Sequence, residues 1–220
     1  ILRCLVGSEM CIRDSGGGVI KNIVYHAPDA TEFNSEVTAV GKGSPDAIVG
    51  ILFPATGCGV LQPAFEQGLL DTPWYMTDGV KDAGLASLCN LGTALDGMKG
   101  TAPGSAAGEA FDAFSAAYAE VSADGAGTFI FAPQAYDAVM LMAISAAANG
   151  VTGPEIASGL VAASSGGEKC IGVACIELAA NGVDVDYVGA SGEIELNEAG
   201  DPTAATYDIW TTEGLSLIHI

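Results

Sequence analysis

The sequence predicts an α/β protein on a parallel, doubly wound sheet, and three observations carry that expectation. Short β-branched or apolar runs alternate with stretches of helical spacing between Val19 and Thr77. The links between them are short, as in repeated β-α-β units. The run Asp46–Phe53 (DAIVGILF) is almost continuously apolar, the pattern of a strand buried on both faces.

Taken in order, Val19–His26 (VIKNIVYH) lies between glycines and Ala-Pro-Asp and predicts the first strand. Thr31–Gly41 follows with Phe33, Val37 and Val40 at helical spacing and Thr31 as its N-cap. Asp46–Phe53 is the second strand, ended by Pro54; Val60–Leu70 is a helix; Pro73–Thr77 (PWYMT) is the third strand, closed by Asp78 and Gly79. In such a sheet the binding edge lies at the carboxyl ends of the strands, here Phe53–Thr56 and Thr77–Gly79. Beyond Leu95–Pro103 the texture becomes alanine-rich. Ala106–Val121 carries Phe111, Phe114 and Tyr118 on one helical face, and Ala132–Ala148 carries Tyr136, Val139, Met140 and Ala143 on another. Gly153–Ala163 reads as a third helix and Cys170–Ala180 as a fourth, capped by Asn181 and Gly182. Strands return at Gly192–Leu196 and Ala205–Thr211, either side of an Asn197–Pro202 turn. The small-residue stretch Gly100–Gly108 reads either as a crossing between two lobes or as a loop.

The two ends read as foreign to the protein. One coding of Leu215–Ile220 (LSLIHI), reverse-complemented and moved by one frame, encodes Met-Cys-Ile-Arg-Asp, which is what residues 10–14 spell. One short DNA tag read on opposite strands accounts for both, and it resembles the transposon end of a sequencing adapter. Residues 1–15 and 215–220 are therefore set aside from fold reasoning, and the absence of a signal peptide carries no information.

Residues 16–214 hold five lysines and no arginine against 25 acids, so the net charge stays at −20. That field argues against nucleic acid and anionic membrane surfaces as partners. An acidic surface suits a secreted or periplasmic protein, and equally suits plain solubility. No apolar run reaches the roughly 18 residues that a membrane span needs. Four cysteines remain: Cys58, Cys89, Cys170 and Cys175. Cys170 and Cys175 enclose a loop small enough for a local disulfide in an oxidising compartment, or stay as paired buried thiols; a Cys58–Cys89 bridge is also open. With His26 the one histidine between the ends, neither a zinc site nor any other metal site is expected.

Enzyme chemistry finds little footing. Gly16–Gly18 precede a strand instead of following one, so they fail the context of a phosphate-binding loop. No Gly-x-Ser-x-Gly is present, and Glu193, Glu195, Glu198 and Asp201 sit where turns hold solvated acids, without calcium-loop spacing. Neither an enzyme nor a cofactor is expected.

Several stretches, in this order, carry a resemblance: PDAIVGILFP, FEQGLLDTPWYMTDG, GTAPG, FAPQAYDAVMLMA and YVGASGEIELNEAGDPTAATYDIW. Over essentially all of Gly16–Gly214 the chain resembles the branched-chain amino-acid substrate-binding proteins of ABC transporters, which have the type I periplasmic-binding-protein fold. The Cys170–Cys175 spacing is similar to that of a bacterial subgroup. The resemblance implies two doubly wound parallel-sheet lobes, with lobe one incomplete. Residues 16–103 would form most of lobe two, 104–180 the C-terminal part of lobe one, and 181–214 the return crossing and terminal strands of lobe two. It implies a periplasmic or extracellular protein that captures an amino acid or similar solute between its lobes and delivers it to an ABC permease. A ligand-sensing receptor of the same fold is the alternative.

The resemblance also assigns residues. Asp78 takes the place of the family's acidic partner for the ligand ammonium, or instead caps the following helix. Gly79 would let the backbone approach closely. Phe53 would wall the ligand side chain, or pack in the core. Tyr136 would face the cleft, or be buried with its hydroxyl bonded locally. Asp137 beside it reads as charge at the helix N-terminus.

Overall fold

The computed structural model describes residues 19–27, 29–82, 84–122, 130–214 and 216–219. The chain forms two compact units, one reaching to Gly100 and including Trp210–His219, the other running from Thr101 to Ile209.

The first unit alternates helix and strand: α1 (Asn34–Val40), β1 (Ile48–Gly50), α2 (Pro54–Glu66), β2 (Trp74–Met76), α3 (Leu85–Leu88) and β3 (Lys99–Pro103), the last running across the division. Strands β1, β2 and β3 are parallel neighbours, in register Gly50 to Met76 to Gly100. The α/β class with a parallel core therefore holds. One face of this sheet meets the core of Ile48, Leu52, Leu61, Trp74, Met76 and Trp210. Trp210 is fully buried, and Gly100 makes room for it, because a Cβ there would strike the indole ring.

Several boundaries differ from the sequence reading. Val49 and Ile51 are 60% and 54% exposed, so β1 is not covered on both faces. Val19–His26 is not a ladder strand; Asn22 ties it down by donating Nδ2 to the carbonyls of Val40 and Lys42. Thr31 is not the N-cap of α1, which starts at Asn34 behind Phe33 and has no side-chain cap. Phe33 is instead driven into the core, its ring against Gly59 of α2, where no Cβ stands in the way. α2 begins six residues before the helical periodicity does. Pro54 suits a first helical position, where the missing N–H is no loss, and Gly57 and Gly59 hide the apolar rhythm.

The second unit contains α4 (Glu109–Val121), α5 (Ala132–Asn149), α6 (Gly153–Ala163), β4 (Glu168–Cys170), α7 (Val173–Ala180), β5 (Val185–Gly189) and β6 (Gly192–Glu193). β4 runs parallel to β5, and β6 returns antiparallel to it. Met140, Leu141, Ile144, Ala163, Cys175, Ala179, Val185 and Tyr187 form the core. α6 starts with a capping box in which Glu155 accepts from the backbone N–H and hydroxyl of Thr152; those bonds lower the Glu155 carboxyl from its ordinary range.

The terminal segment does not form one hairpin. β6 joins β5, whereas β7 (Tyr207–Glu213) lies beside β3, with only an isolated bridge, Leu196 to Pro202, across the turn. Met98 bonds Thr212 and Gly104 bonds Thr206, so β3 and β7 run in opposite directions. Within residues 181–214 the division between the two units falls after Ile209. β8 (Ser216–His219), in the segment read as adapter-derived, pairs antiparallel with β7. Residues 1–15 and the triple glycine at 16–18 lie outside the described residues.

Candidate functional site

In the first unit the carboxyl edge of the sheet gathers three of the four candidate ligand residues. Phe53 follows β1, caps α2 and stands 64% exposed, so it is not a core residue. Its N–H donates to the Thr56 hydroxyl at 3.3 Å, which fixes the turn into the helix. Asp78 and Gly79 follow β2 in a short 3-10 turn, Asp78–Val80. Gly79 sits directly against the carbonyl of Leu52 and the Phe53 ring, where a Cβ would strike the Leu52 carbonyl oxygen. This close approach, open only to glycine, brings the ends of β1 and β2 together.

Asp78 is half-buried, and among the described residues its carboxylate accepts no hydrogen bond. It caps no helix: Thr77 is the N-terminal flank of the 3-10 turn and makes no side-chain cap either. The edge therefore brings together half-buried Asp78, an exposed aromatic ring and a backbone brought close by glycine. The Cys58–Cys89 disulfide ties α2 to the segment after β2, and Gln62 Nε2 adds a bond to the Cys89 carbonyl at 3.0 Å.

Tyr136 belongs to the second unit, near the start of α5. It is half-buried against the core, 5.3 Å from the Phe114 ring, and its hydroxyl faces Gly172. Burial pushes its phenol up, and the Asp137 charge adds to the shift. Among the described residues the hydroxyl makes no hydrogen bond, unlike the locally bonded tyrosine weighed for a core role. Gly172 lies in the loop closed by the Cys170–Cys175 disulfide, between β4 and α7.

The sequence reading missed the largest polar constellation. Asp137 is 1% exposed, not a charge at a solvated helix end. It accepts the Tyr187 hydroxyl at 2.8 Å, the Ala190 N–H at 2.7 Å, and the Ser191 N–H and hydroxyl at 2.8 and 2.6 Å. Gly189 lies against the same carboxylate, with the site of a missing Cβ 2.6 Å from Oδ2. The Tyr-x-Gly-x-Ser spacing of Tyr187–Ser191 is thus the footprint of one carboxylate. A lone acid in an otherwise uncharged 18-residue helix was the signal available in the sequence. Among the described residues no group of three or more His, Cys, Asp or Glu side chains could hold a metal ion, and no helix is long and apolar enough to cross a membrane.

Residues 19–214 match the family described as the receptor family ligand binding region, and the chain belongs to that family. Among curated proteins none matches the sequence. Solved structures with the same fold include a branched-chain amino acid transporter substrate binding protein from Streptococcus pneumoniae in complex with isoleucine: TM-score 0.68, 19% identity, 98% of this chain and 56% of that one. An ABC transporter solute binding protein from R. palustris in complex with benzoate gives TM-score 0.68 and 18% identity over 98% of this chain and 53% of that one. A leucine binding protein from Thermotoga maritima gives 0.66 and 19% over 93% and 51%. The fold is that of the type I periplasmic binding proteins, and the chain spans about half the length of these relatives.

Proposed function

We propose that the protein is a non-catalytic, extracytoplasmic solute-binding protein that captures an amino acid and delivers it to an ABC permease. In this reading the chain supplies most of one lobe, residues 16–103 with the returning strand β7, and part of the other. Asp78 pairs with the ligand ammonium, Phe53 walls its apolar side chain, Gly79 admits the close approach, and Tyr136 contributes from lobe one. One observation carries the reading: at the carboxyl edge of a parallel sheet, half-buried Asp78, whose carboxylate accepts no hydrogen bond among the described residues, adjoins Gly79, which packs against the exposed Phe53 ring. An ammonium completes such a carboxylate with a charge-assisted hydrogen bond. The same carboxylate would repel an aromatic acid, which brings no ammonium to pair with it. An amine-bearing ligand is therefore favoured over a benzoate-like one.

Calorimetric titration of the full-length protein with L-isoleucine and with benzoate tests this. Binding of isoleucine without turnover supports it. Tight benzoate binding with no amino-acid binding discards the amino-acid assignment, and catalytic turnover discards the transport role. A receptor role is favoured by the family description itself, receptor family ligand binding region. A signalling or membrane-spanning segment in the same reading frame would select it.

A further inference from the structure

The N-terminal part of α5 is gripped on both sides of Tyr136. Two residues before it, Gln134 donates Nε2 to the Gly104 carbonyl at 2.7 Å. One residue after it, Asp137 gathers the four donors of Tyr187, Ala190 and Ser191. Ser191 in turn accepts the Ala106 N–H at 3.2 Å, so the segments at 104–106 and 187–191 are joined to each other as well as to the helix. Tyr136 has no hydrogen bond of its own among the described residues, and ring packing alone does not fix the depth of a hydroxyl. An apolar residue would fill the position of Asp137 without the cost of desolvating a charge, and the carboxylate is tolerable only because all four donors converge on it.

We infer that Asp137 is a positioning residue for the ligand contact of Tyr136: by clasping residues 187–191 it sets the rotation and depth of the N-terminal part of α5. This rests on the proposed function, since it assumes that Tyr136 meets the ligand. Asp137→Asn keeps the volume but turns an amide NH2 toward donors, so at least one of the four bonds is lost.

The test is a double-mutant cycle on the full-length protein, with L-isoleucine as the probe and calorimetry as the readout, joined to amide exchange at Ala190 and Ser191. The inference expects Asp137→Asn to speed exchange at both amides and to weaken isoleucine binding about tenfold or more. Added to Tyr136→Phe, it should have little further effect, because both changes remove the same contact. Ser191→Thr, which keeps the hydroxyl donor, should restore near-native affinity where Ser191→Ala does not. Faster exchange with unchanged affinity would make the clasp purely structural and overturn the inference; so would affinity losses that multiply in the double variant. Unchanged affinity in Tyr136→Phe would also overturn it, through failure of the site reading, and the exchange data would still report on the clasp. If Asp137→Asn fails to fold, Tyr187→Phe removes one donor, keeps the ring and serves in the same cycle.

Discussion

Asp137 and Tyr187 make a buried acid–phenol pair whose chemistry gives a pH signature. Burial raises the Tyr187 phenol, and the charge and hydrogen bond of Asp137 raise it further. The folded chain thus holds this proton more tightly than the unfolded chain does. The resulting stability is complete below the unfolded tyrosine value of about 10 and is lost as pH climbs above it. Thermal melts between about pH 8 and about pH 11 should show a fall in stability that is smaller in Tyr187→Phe; equal falls would show that the pair is not responsible. Asp78 differs in kind: a carboxylate that accepts no hydrogen bond among the described residues is available to a ligand, whereas one with four donors is committed to the fold. The sequence distinguished Asp78 by its place after a strand. Asp137 stands out in the sequence only as a lone acid in an uncharged helix; its role was not legible, because the four donors come from residues about 50 positions away.

Elements were legible where local periodicity decided them. α5 and α6 came out nearly as expected, since an uninterrupted apolar helix and a Thr152–Glu155 capping box need no tertiary information. α2 was read six residues late because Gly57 and Gly59 serve packing against Val80 and Phe33, not the helix's own pattern. β4 was missed, with only its Cys170 falling in the expected helix, since its Glu-Lys-Cys sequence gains strand character only by pairing with β5. The Val19–His26 run has the right composition for a strand, but pairing, not composition, makes a ladder. Two measurements test the packing account. Gly100→Ala drives a methyl into the Trp210 indole and should cost about 1–3 kcal/mol in urea unfolding; no loss would mean that the Trp210 ring does not lie on β3. Replacing both Cys58 and Cys89 by serine frees a separation of 31 residues and should cost about 3–4 kcal/mol by loop entropy, read from the same titration. An unchanged midpoint would show that this bridge does not constrain the unfolded chain.

For the molecule as a whole, the parallel core and the type I periplasmic-binding-protein fold were within reach of the sequence, because alternation of strand and helix and the order of short motifs survive without coordinates. The ownership of the last strands was not. Two alternating runs around a turn look like a hairpin, yet β6 completes one sheet and β7 another. The account depends most on the carboxylate at the end of β2. Isoleucine titrated into wild-type and Asp78→Ala full-length protein, with circular dichroism to check that both fold, tests it directly. Loss of the ammonium's charged partner should weaken binding by about 1.5–3 kcal/mol, roughly ten- to a hundredfold, with the fold unchanged. Equal affinity in the two folded proteins would contradict the account.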